Sequence, residues 1–285
     1  MITNVLVTGG NGQLAQTIKE HYFKNNNNIH FTFVTKADLD LTKYNQVENL
    51  FASNKFNYCI NCAAYTNVEQ AEDFKELAFH VNAEAVKYLA IICNKNNTKL
   101  IHVSTDYVFN GEKKEPYLEI DTTNPINNYG ASKLKGEVYI AENIQDYFII
   151  RTSWLYSKFG KNFYKTIKEK IENNADLKIT VAETGTPTSC VDLAQAIYFL
   201  ITSKNINYGL YHFSNNGQAT WYDFTIEIAK LIGNYNIDKI QPVPFFKTKA
   251  KRPKFSVLDK NKISTILPQE IPHWKDALKV LINTK

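Results

Sequence analysis

The chain of 285 residues alternates short apolar runs with segments of helical periodicity, and this alternation constrains its fold more than any other feature. Short apolar runs bounded by helical segments are typical of strands buried on both faces of a parallel sheet. The predicted strands are 5–8 (VLVT), 31–34 (FTFV), 58–62 (YCINC), 99–104 (KLIHVS) and 147–153 (YFIIRTS). The predicted helices between them are 13–23, 46–54 and 83–96. This order predicts an α/β fold with a Rossmann-type, doubly wound parallel sheet.

The pattern changes after residue 155, where prolines become frequent. The elements predicted in this half are helices over 192–204 and 221–233 and a strand over 209–214. They indicate a smaller, irregular α/β lobe. We therefore expect a first domain over 1–155, to which 189–216 returns, and a second lobe formed by 156–188 and 217–285.

Composition and charge argue against several classes of function. The net charge is +5, but Lys and Arg are spread along the chain, so no nucleic-acid partner is expected. No apolar stretch is long enough to span a bilayer, and no secretory signal is recognisable. Cys59 and Cys62 lie in a predicted strand, where side chains three apart face opposite ways, so they do not suggest a zinc site. We expect a cytoplasmic protein with structural thiols and no membrane partner.

A glycine-rich turn directly follows the first predicted strand, in residues 5–15 (VLVTGGNGQLA). Gly9, Gly10 and Gly12 permit a tight turn and let backbone amides approach a pyrophosphate at the N-terminus of the next helix. A plain strand-to-helix connection is the alternative interpretation. The position of the turn between the first strand and the first helix favours a dinucleotide cofactor.

The end of the second predicted strand bears on the choice between NADH and NADPH. NAD specificity usually calls for an acidic residue at this place, which binds the ribose hydroxyls. Thr35 and Lys36 occupy it here, and the acids Asp38 and Asp40 come later. A hydroxyl and an ammonium tolerate or favour a 2′-phosphate, so we expect NADPH to be preferred, with use of NADH as the alternative.

Two groups of polar residues are candidates for catalysis. Ser104, Thr105 and Asp106 follow the fourth predicted strand, and strand carboxyl ends form the ligand crevice in open α/β sheets. Tyr129 precedes Lys133 by four positions, so the two share a helix face. We expect the cation to lower the tyrosine pKa from about 10 toward neutrality, as general acid–base catalysis favours. An exposed helix start with a chance aromatic is the alternative interpretation.

In this order, the glycine turn, the strand-end Ser/Thr and Tyr-x-x-x-Lys resemble the extended short-chain dehydrogenase/reductase superfamily. Longer segments are similar to the dTDP-4-dehydrorhamnose reductase family, from residue 2 to about residue 280: NCAAYTNVEQAE, VSTDYVFNG, NNYGASKLKGE, RTSWLYSKFGKNF, TGTPTSCVDLA and GLYHFSNNGQATWYDF. The resemblance implies NAD(P)H-dependent reduction of the 4-keto group of dTDP-4-dehydro-L-rhamnose to dTDP-L-rhamnose, for cell-surface polysaccharide. It also implies that the first domain binds the dinucleotide and that the second lobe binds the nucleotide-sugar.

The resemblance further implies a role for each matching residue. Tyr129 would donate a proton to the 4-keto oxygen, Lys133 would hold the nicotinamide ribose, and Thr105 would hydrogen-bond the reacting carbonyl. Asp106 and Trp154 match positions that touch the nucleotide-sugar. The implied cofactor contacts are Gly12, Gln13, Leu14, Asp40, Leu41, Ala64, Tyr65 and Thr66.

Only two of the 33 basic residues are arginine, Arg151 and Arg252. Guanidinium differs from ammonium by its planar fork of donors, which suits bidentate contacts with phosphate or carboxylate. We predict that Arg252, in a loop of the second lobe, clamps the diphosphate of the nucleotide-sugar. Arg151 is predicted to pair with a buried acid. Structural roles are predicted for two other residues: His102 as a core or capping residue, and Trp221 as a core ring at a helix start.

Some members of the family dimerise around a magnesium ion held by acidic side chains. The C-terminal residues here, LINTK, include no acid, and Gln16 and Thr17 stand where a glutamate would be sought. We therefore expect no metal site and a monomer or weak homodimer. Two functions remain as alternatives: another nucleotide-sugar 4-ketoreductase, or a non-catalytic NADP-binding regulatory subunit.

Overall fold

Strands and helices alternate along residues 2–23, 28–203 and 207–284, which are the residues that the computed structural model describes; Lys204, predicted to end a helix, lies outside them. The strands are β1 Thr3–Thr8, β2 Ile29–Phe33, β3 Tyr58–Asn61, β4 Lys99–Thr105, β5 Tyr147–Thr152, β6 Leu155–Tyr156, β7 Leu177–Thr180, β8 Thr184–Gly185, β9 Thr188–Ser189, β10 Gly209–His212, β11 Ala219–Thr220 and β12 Ile240–Val243. The helices are α1 Gln13–Tyr22, α2 Tyr44–Ser53, α3 Lys75–Phe79, α4 Ala85–Lys95, α5 Asn128–Asn143, α6 Phe163–Glu172, α7 Cys190–Thr202, α8 Trp221–Ile232, α9 Asn261–Ser264 and α10 Trp274–Asn283. No described helix is long and apolar enough to cross a membrane.

Six strands form one parallel sheet in the order β2-β1-β3-β4-β5-β10. The strand order reverses at β1, because β2 pairs with one edge of β1 and β3 with the other. The carboxyl ends of strands at such a reversal form a ligand crevice. The predicted doubly wound, Rossmann-type sheet is confirmed.

Helices cover both faces of this sheet, which explains why its strands read as continuous apolar runs. Val5 and Val7 pack on one face together with residues of α1 and α7. Leu6 points to the opposite face, where it packs with residues of α2, α4 and α5. Successive strand side chains alternate between faces, so a strand buried on both sides needs apolar residues at every position.

A separate apolar core lies in the second half of the chain. It joins α6, α8 and α10 to the β7–β12 pair, with Tyr156, Phe224 and Trp274 among its largest buried side chains. The intervening helix α7 packs instead on the central sheet, and β10 extends that sheet beside β5. The chain therefore leaves the sheet after β5, returns to it through α7 and β10, and leaves it again.

Candidate functional site

The carboxyl ends of β1, β3, β4 and β5 open into a cleft of about 780 Å³. Fifteen of the seventeen predicted site residues line it: Gly9, Gly12, Gln13, Leu14, Lys36, Asp40, Leu41, Ala64, Tyr65, Thr66, Thr105, Asp106, Tyr129, Lys133 and Trp154. The other two, Thr35 and Arg252, lie outside its lining. Residues from six separate stretches of sequence thus meet at the edge of the sheet where the strand order reverses.

The glycine turn after β1 is shaped as a cradle. Gly9 has a φ of +67°, and a Cβ atom added to it would lie 2.7 Å from the backbone nitrogen of Ala63. Only glycine fits such a conformation and such a close approach. Gly12 is the N-cap of α1, so the free N–H groups of that helix point toward the cleft. The turn therefore fits the pyrophosphate of a dinucleotide.

The segment that follows β2 contributes the side chain of Lys36 to the cleft. Both the backbone N–H and the hydroxyl of Thr35 donate to the Asp38 carboxylate, at 2.9 and 2.7 Å. These hydrogen bonds lower the pKa of Asp38, and both of them go to its Oδ2 atom. Lys36 lines the cleft, and the nearby Asp40 accepts hydrogen bonds from Thr42. This arrangement fits a cofactor that carries a 2′-phosphate, as expected.

Helix α5 carries both members of the Tyr/Lys pair. Its N-cap Asn127 accepts a hydrogen bond from the Gly130 backbone at 2.7 Å. A Cβ on Gly130 would lie 2.1 Å from the carbonyl oxygen of Tyr107, so the first turn of the helix is pressed against the segment that follows β4. This close packing places Tyr129 beside Thr105, with which it hydrogen-bonds.

The expected lowering of the Tyr129 pKa is wrong in this structure. Burial raises the pKa of Tyr129 to about 12, the Asp106 carboxylate acts in the same direction, and the hydrogen bond with Thr105 acts against them. Lys133 is not among the groups that lower it, and its Nζ atom is hydrogen-bonded instead to two groups of β4. Tyr129 is therefore held as the neutral phenol.

Lys133 is almost completely buried although it reaches the cleft. Its Nζ atom lies 2.7 Å from the Val103 carbonyl oxygen and 3.0 Å from His102 Nε2. Burial lowers the pKa of Lys133 to about 8, whereas the nearby Glu137 and Cys62 raise it. Lys133 therefore changes its charge much closer to neutral pH than an exposed lysine does.

Two buried oxygens in the cleft have no hydrogen-bond partner among the described residues, Asp106 Oδ2 and Thr152 Oγ1. Burial raises the pKa of Asp106 to about 7, although hydrogen bonds with Ser256 and Thr105 lower it. Buried polar atoms are normally satisfied, so these two fit contacts with a polar ligand.

A pair of stacked indoles forms the opposite side of the cleft. The rings of Trp154 and Trp221 lie 3.5 Å apart and 6° from parallel. Trp154 has a φ of +44°, which is unusual for a bulky residue. Gly185 lies beneath it, since a Cβ there would be 2.6 Å from the ring. Thr220 caps α8, and Trp221, predicted as a core ring, is partly buried against the core of the second half but also lines the cleft.

The two arginines have different environments. Arg151 is buried and pairs with Glu137 at 2.6 Å, and Ser104 donates to the same carboxylate at 2.5 Å. The predicted buried pair is confirmed. Arg252 pairs with the half-exposed Glu69 at 2.8 Å and lines a neighbouring groove rich in lysine. Its contact with a diphosphate stays a prediction.

Several residues that organise the site were not predicted. Asn82, in a π-helical turn at His80–Glu84, accepts a hydrogen bond from Tyr65 N and donates to Tyr65 O and Ser132 Oγ. It thereby ties the Tyr65 loop to α5. The available signal was a polar residue directly before the apolar helical pattern of 83–96. Lys161 and Ser153 also line the cleft; Ser153 ends the predicted strand 147–153, and Lys161 follows it in a segment for which no element was predicted.

The thiols behave as structural groups. All four cysteines are free, and three of them are fully buried. Burial raises the pKa of Cys62, at the base of the cleft, to about 12, so it is not a reactive thiolate. Among the described residues, no group of three or more His, Cys, Asp or Glu side chains could hold a metal ion.

A parallel sheet whose glycine cradle faces a buried Lys and a Tyr on one helix defines an oxidoreductase of the short-chain dehydrogenase/reductase type. The family model described as RmlD substrate binding domain matches residues 3–285, so the chain belongs to that family. The predicted resemblance is confirmed.

Individual relatives agree with this assignment. The chain is 34% identical to a dTDP-4-dehydrorhamnose reductase from Aggregatibacter actinomycetemcomitans, over 98% of each chain. It is 32% identical to a dTDP-4-keto-6-deoxy-D-glucose reductase from Streptomyces niveus, over 96% of this chain and 94% of that one. Among solved structures, the dTDP-4-dehydrorhamnose reductase from Bacillus anthracis str. Ames in complex with NADP superposes with a TM-score of 0.94, at 35% identity and with all of both chains covered.

Proposed function

We propose that this protein is an NADPH-dependent reductase that converts dTDP-4-dehydro-L-rhamnose into dTDP-L-rhamnose. The observation that supports it most directly is the meeting of Thr105, Tyr129 and Lys133 in one cleft with the glycine cradle. The full-length similarity to reductases of that name supports the choice of substrate. A regulatory subunit has no need of all three catalytic side chains, which speaks against that alternative.

The cofactor would lie along the cradle. Gly9 and Gly12 would receive its pyrophosphate, and Lys36 would face the 2′-phosphate. Lys133 would bond the ribose with an N–H that β4 does not use. When bound, a reduced nicotinamide supplies the hydride for such reductions.

The proton would come from Tyr129. A pKa of about 12 keeps its hydroxyl protonated at neutral pH, which is the state that a proton donor needs. Thr105, hydrogen-bonded to Tyr129, would hold the carbonyl oxygen within reach of that proton. Asp106 and Trp154 would contact the nucleotide-sugar, and Arg252 its diphosphate.

The test is the consumption of NADPH with dTDP-4-dehydro-L-rhamnose, for the wild-type protein and for Tyr129→Phe. Removal of the hydroxyl should lower kcat by about 10²–10⁴-fold, the range expected for a general acid, while NADPH binding is retained. Tyr107→Phe is the matched control, because Tyr107 also lines the cleft and its ring packs edge-on against Tyr129. A Tyr129→Phe variant with the wild-type rate would contradict the proposal.

A second candidate is reduction of another dTDP-4-keto sugar, as the name of the Streptomyces niveus relative indicates for that protein. The two sugars differ in configuration, and the same cleft residues would act on both. Comparison of kcat/KM for dTDP-4-dehydro-L-rhamnose and dTDP-4-keto-6-deoxy-D-glucose separates the candidates. We also propose that the protein is cytoplasmic, that it is a monomer or weak homodimer, and that its two domains are divided as the sequence predicts.

A further inference from the structure

A row of buried polar side chains runs across the sheet beneath the cleft. Thr8, Asn61 and His102 are register partners on β1, β3 and β4, and each is at most 1% exposed. Thr8 Oγ1 donates to Asn61 Oδ1 at 2.7 Å, and Asn61 Nδ2 lies 3.0 Å from His102 Nδ1. Burying a polar side chain costs free energy unless the side chain is hydrogen-bonded. The presence of three such side chains in one row therefore calls for an explanation.

The row ends on Lys133. His102 Nε2 lies 3.0 Å from Lys133 Nζ, and the Val103 carbonyl oxygen lies 2.7 Å from the same atom. An ammonium has three N–H donors, and within the described part of the chain these two contacts from β4 account for two of them. Because Lys133 also lines the cleft, its third donor is available to a ligand there.

The imidazole is held in one plane and in one charge state. Burial lowers the pKa of His102 well below its usual value, so its ring is neutral and has one donor and one acceptor nitrogen. An ammonium on Lys133 requires Nε2 to accept, which places the ring hydrogen on Nδ1 and turns it toward Asn61. With the ring hydrogen on Nδ1, the Asn61 carboxamide must turn its Oδ1 atom to the ring in place of Nδ2, and Thr8 Oγ1 can then accept from Nδ2.

We propose that His102, held in its ring plane by Asn61, is a positioning residue that fixes the amine of Lys133 against β4 and aims its remaining N–H into the cleft. This inference rests on the proposed role of Lys133 in cofactor binding. It replaces the interpretation of His102 as an ordinary core histidine. The two contacts leave the long lysine side chain one position for its end group, which would otherwise have to be ordered when the cofactor binds.

The test uses two amide substitutions of His102 that differ in reach. The amide of His102→Gln extends about as far as Nε2 and can still bond Lys133, whereas that of His102→Asn extends only as far as Nδ1. NADPH affinity is measured by fluorescence titration, and kcat in the reductase assay. We expect His102→Asn to weaken NADPH binding by about tenfold and His102→Gln by less than about threefold. Equal losses for both variants would overturn the inference.

A double-mutant cycle with Lys133→Met separates positioning from a general structural effect. If His102 acts through the amine, His102→Asn should cause no further loss of NADPH affinity once that amine is gone. The same tenfold loss in the Lys133→Met background would contradict the inference. If His102→Asn does not fold, Asn61→Leu replaces it in the same cycle, with the same expected and contradicting outcomes.

The cycle also distinguishes failure of the inference from failure of the proposed function. NADPH affinity that is unchanged in Lys133→Met alone would remove the role of Lys133 in cofactor binding. Weaker binding in Lys133→Met together with unchanged binding in His102→Asn would remove only the role of His102. NADPH affinity is measured below and above pH 8, because the pKa of Lys133 is lowered to about 8. The other titratable groups that face its amine are Glu137, Cys62 and His102.

Discussion

The two sides of the cleft are built in different ways. The sheet wall, formed by Gly9, Thr105, Tyr129 and Lys133, stands on strand ends and on the first turns of α5. The lobe wall is formed by the two stacked indoles, Trp154 and Trp221, and by Gly185 beneath them. The sheet wall is held by buried hydrogen bonds of regular elements, whereas the lobe wall depends on contacts between irregular segments and contains a residue in a strained conformation.

This difference suggests that the two walls have different functions. The sheet wall contains the glycine cradle and the Tyr/Lys pair, to which the proposed function assigns cofactor binding and proton transfer. The lobe wall presents aromatic faces and a nearby arginine, so it can select one nucleotide-sugar. Variants of the sheet wall should therefore change stability and catalysis, and variants of the lobe wall should mainly change KM for the sugar.

The largest effect is expected at the buried ion pair behind the sheet wall. Glu137→Gln leaves Arg151 buried without its counter-charge, which typically destabilises a protein by about 3–5 kcal/mol. Glu69→Gln is the matched control, because it breaks the half-exposed pair with Arg252 and should change stability by less than about 1 kcal/mol. Urea unfolding measures both. Equal losses of unfolding free energy in the two variants would show that the buried pair contributes no more to stability than the half-exposed pair.

A smaller effect is expected at Arg252. Arg252→Lys keeps the charge but loses the planar fork, so KM for the nucleotide-sugar should rise by about tenfold, with little change in melting temperature. Lys254→Gln, in the same loop and groove, is the control and should raise KM by much less. An unchanged KM in Arg252→Lys would remove the diphosphate contact.

The indole stack should respond to a single methyl group. Gly185→Ala introduces a Cβ only 2.6 Å from the Trp154 ring, so the ring must move away from Trp221. We expect KM for the nucleotide-sugar to rise by about fivefold while the NADPH dissociation constant is unchanged, as steady-state kinetics and titration would show. Weaker NADPH binding would mean that the two walls are not independent.

The smallest effect is a pH dependence set by Asp106. Its pKa is raised in the folded protein from 3.8 to about 7, so the folded state binds more protons than the unfolded state between these values. Stability contributed by the protonated carboxyl is therefore lost as the pH rises, by about 0.7 kcal/mol between about pH 6.5 and pH 7.5. Asp106→Asn should lack this dependence in urea unfolding at the two pH values. The same pH dependence in both proteins would assign it to other groups.

The sheet wall was predictable because its residues follow from local patterns. Apolar runs identify strands, and the residue after a parallel strand must lie at the carboxyl edge, so Thr105 and Gly9 could be placed from the sequence. The lobe wall offered no comparable pattern. Trp221 follows a helix cap and has the apolar neighbours of a core residue, and only the stacking on Trp154 reveals that it faces the cleft.

Residue type and short-range periodicity were enough to predict the parallel sheet, the glycine cradle, the Tyr/Lys spacing and the partner class of Arg151. The position of the lysine amine and the direction of the tyrosine pKa shift, in contrast, depend on contacts that form only in the folded protein. Lys133 is four residues from Tyr129, yet its amine bonds His102 and Val103 across the sheet. Charge and burial act through space, so a pKa depends on neighbours that sequence distance does not show.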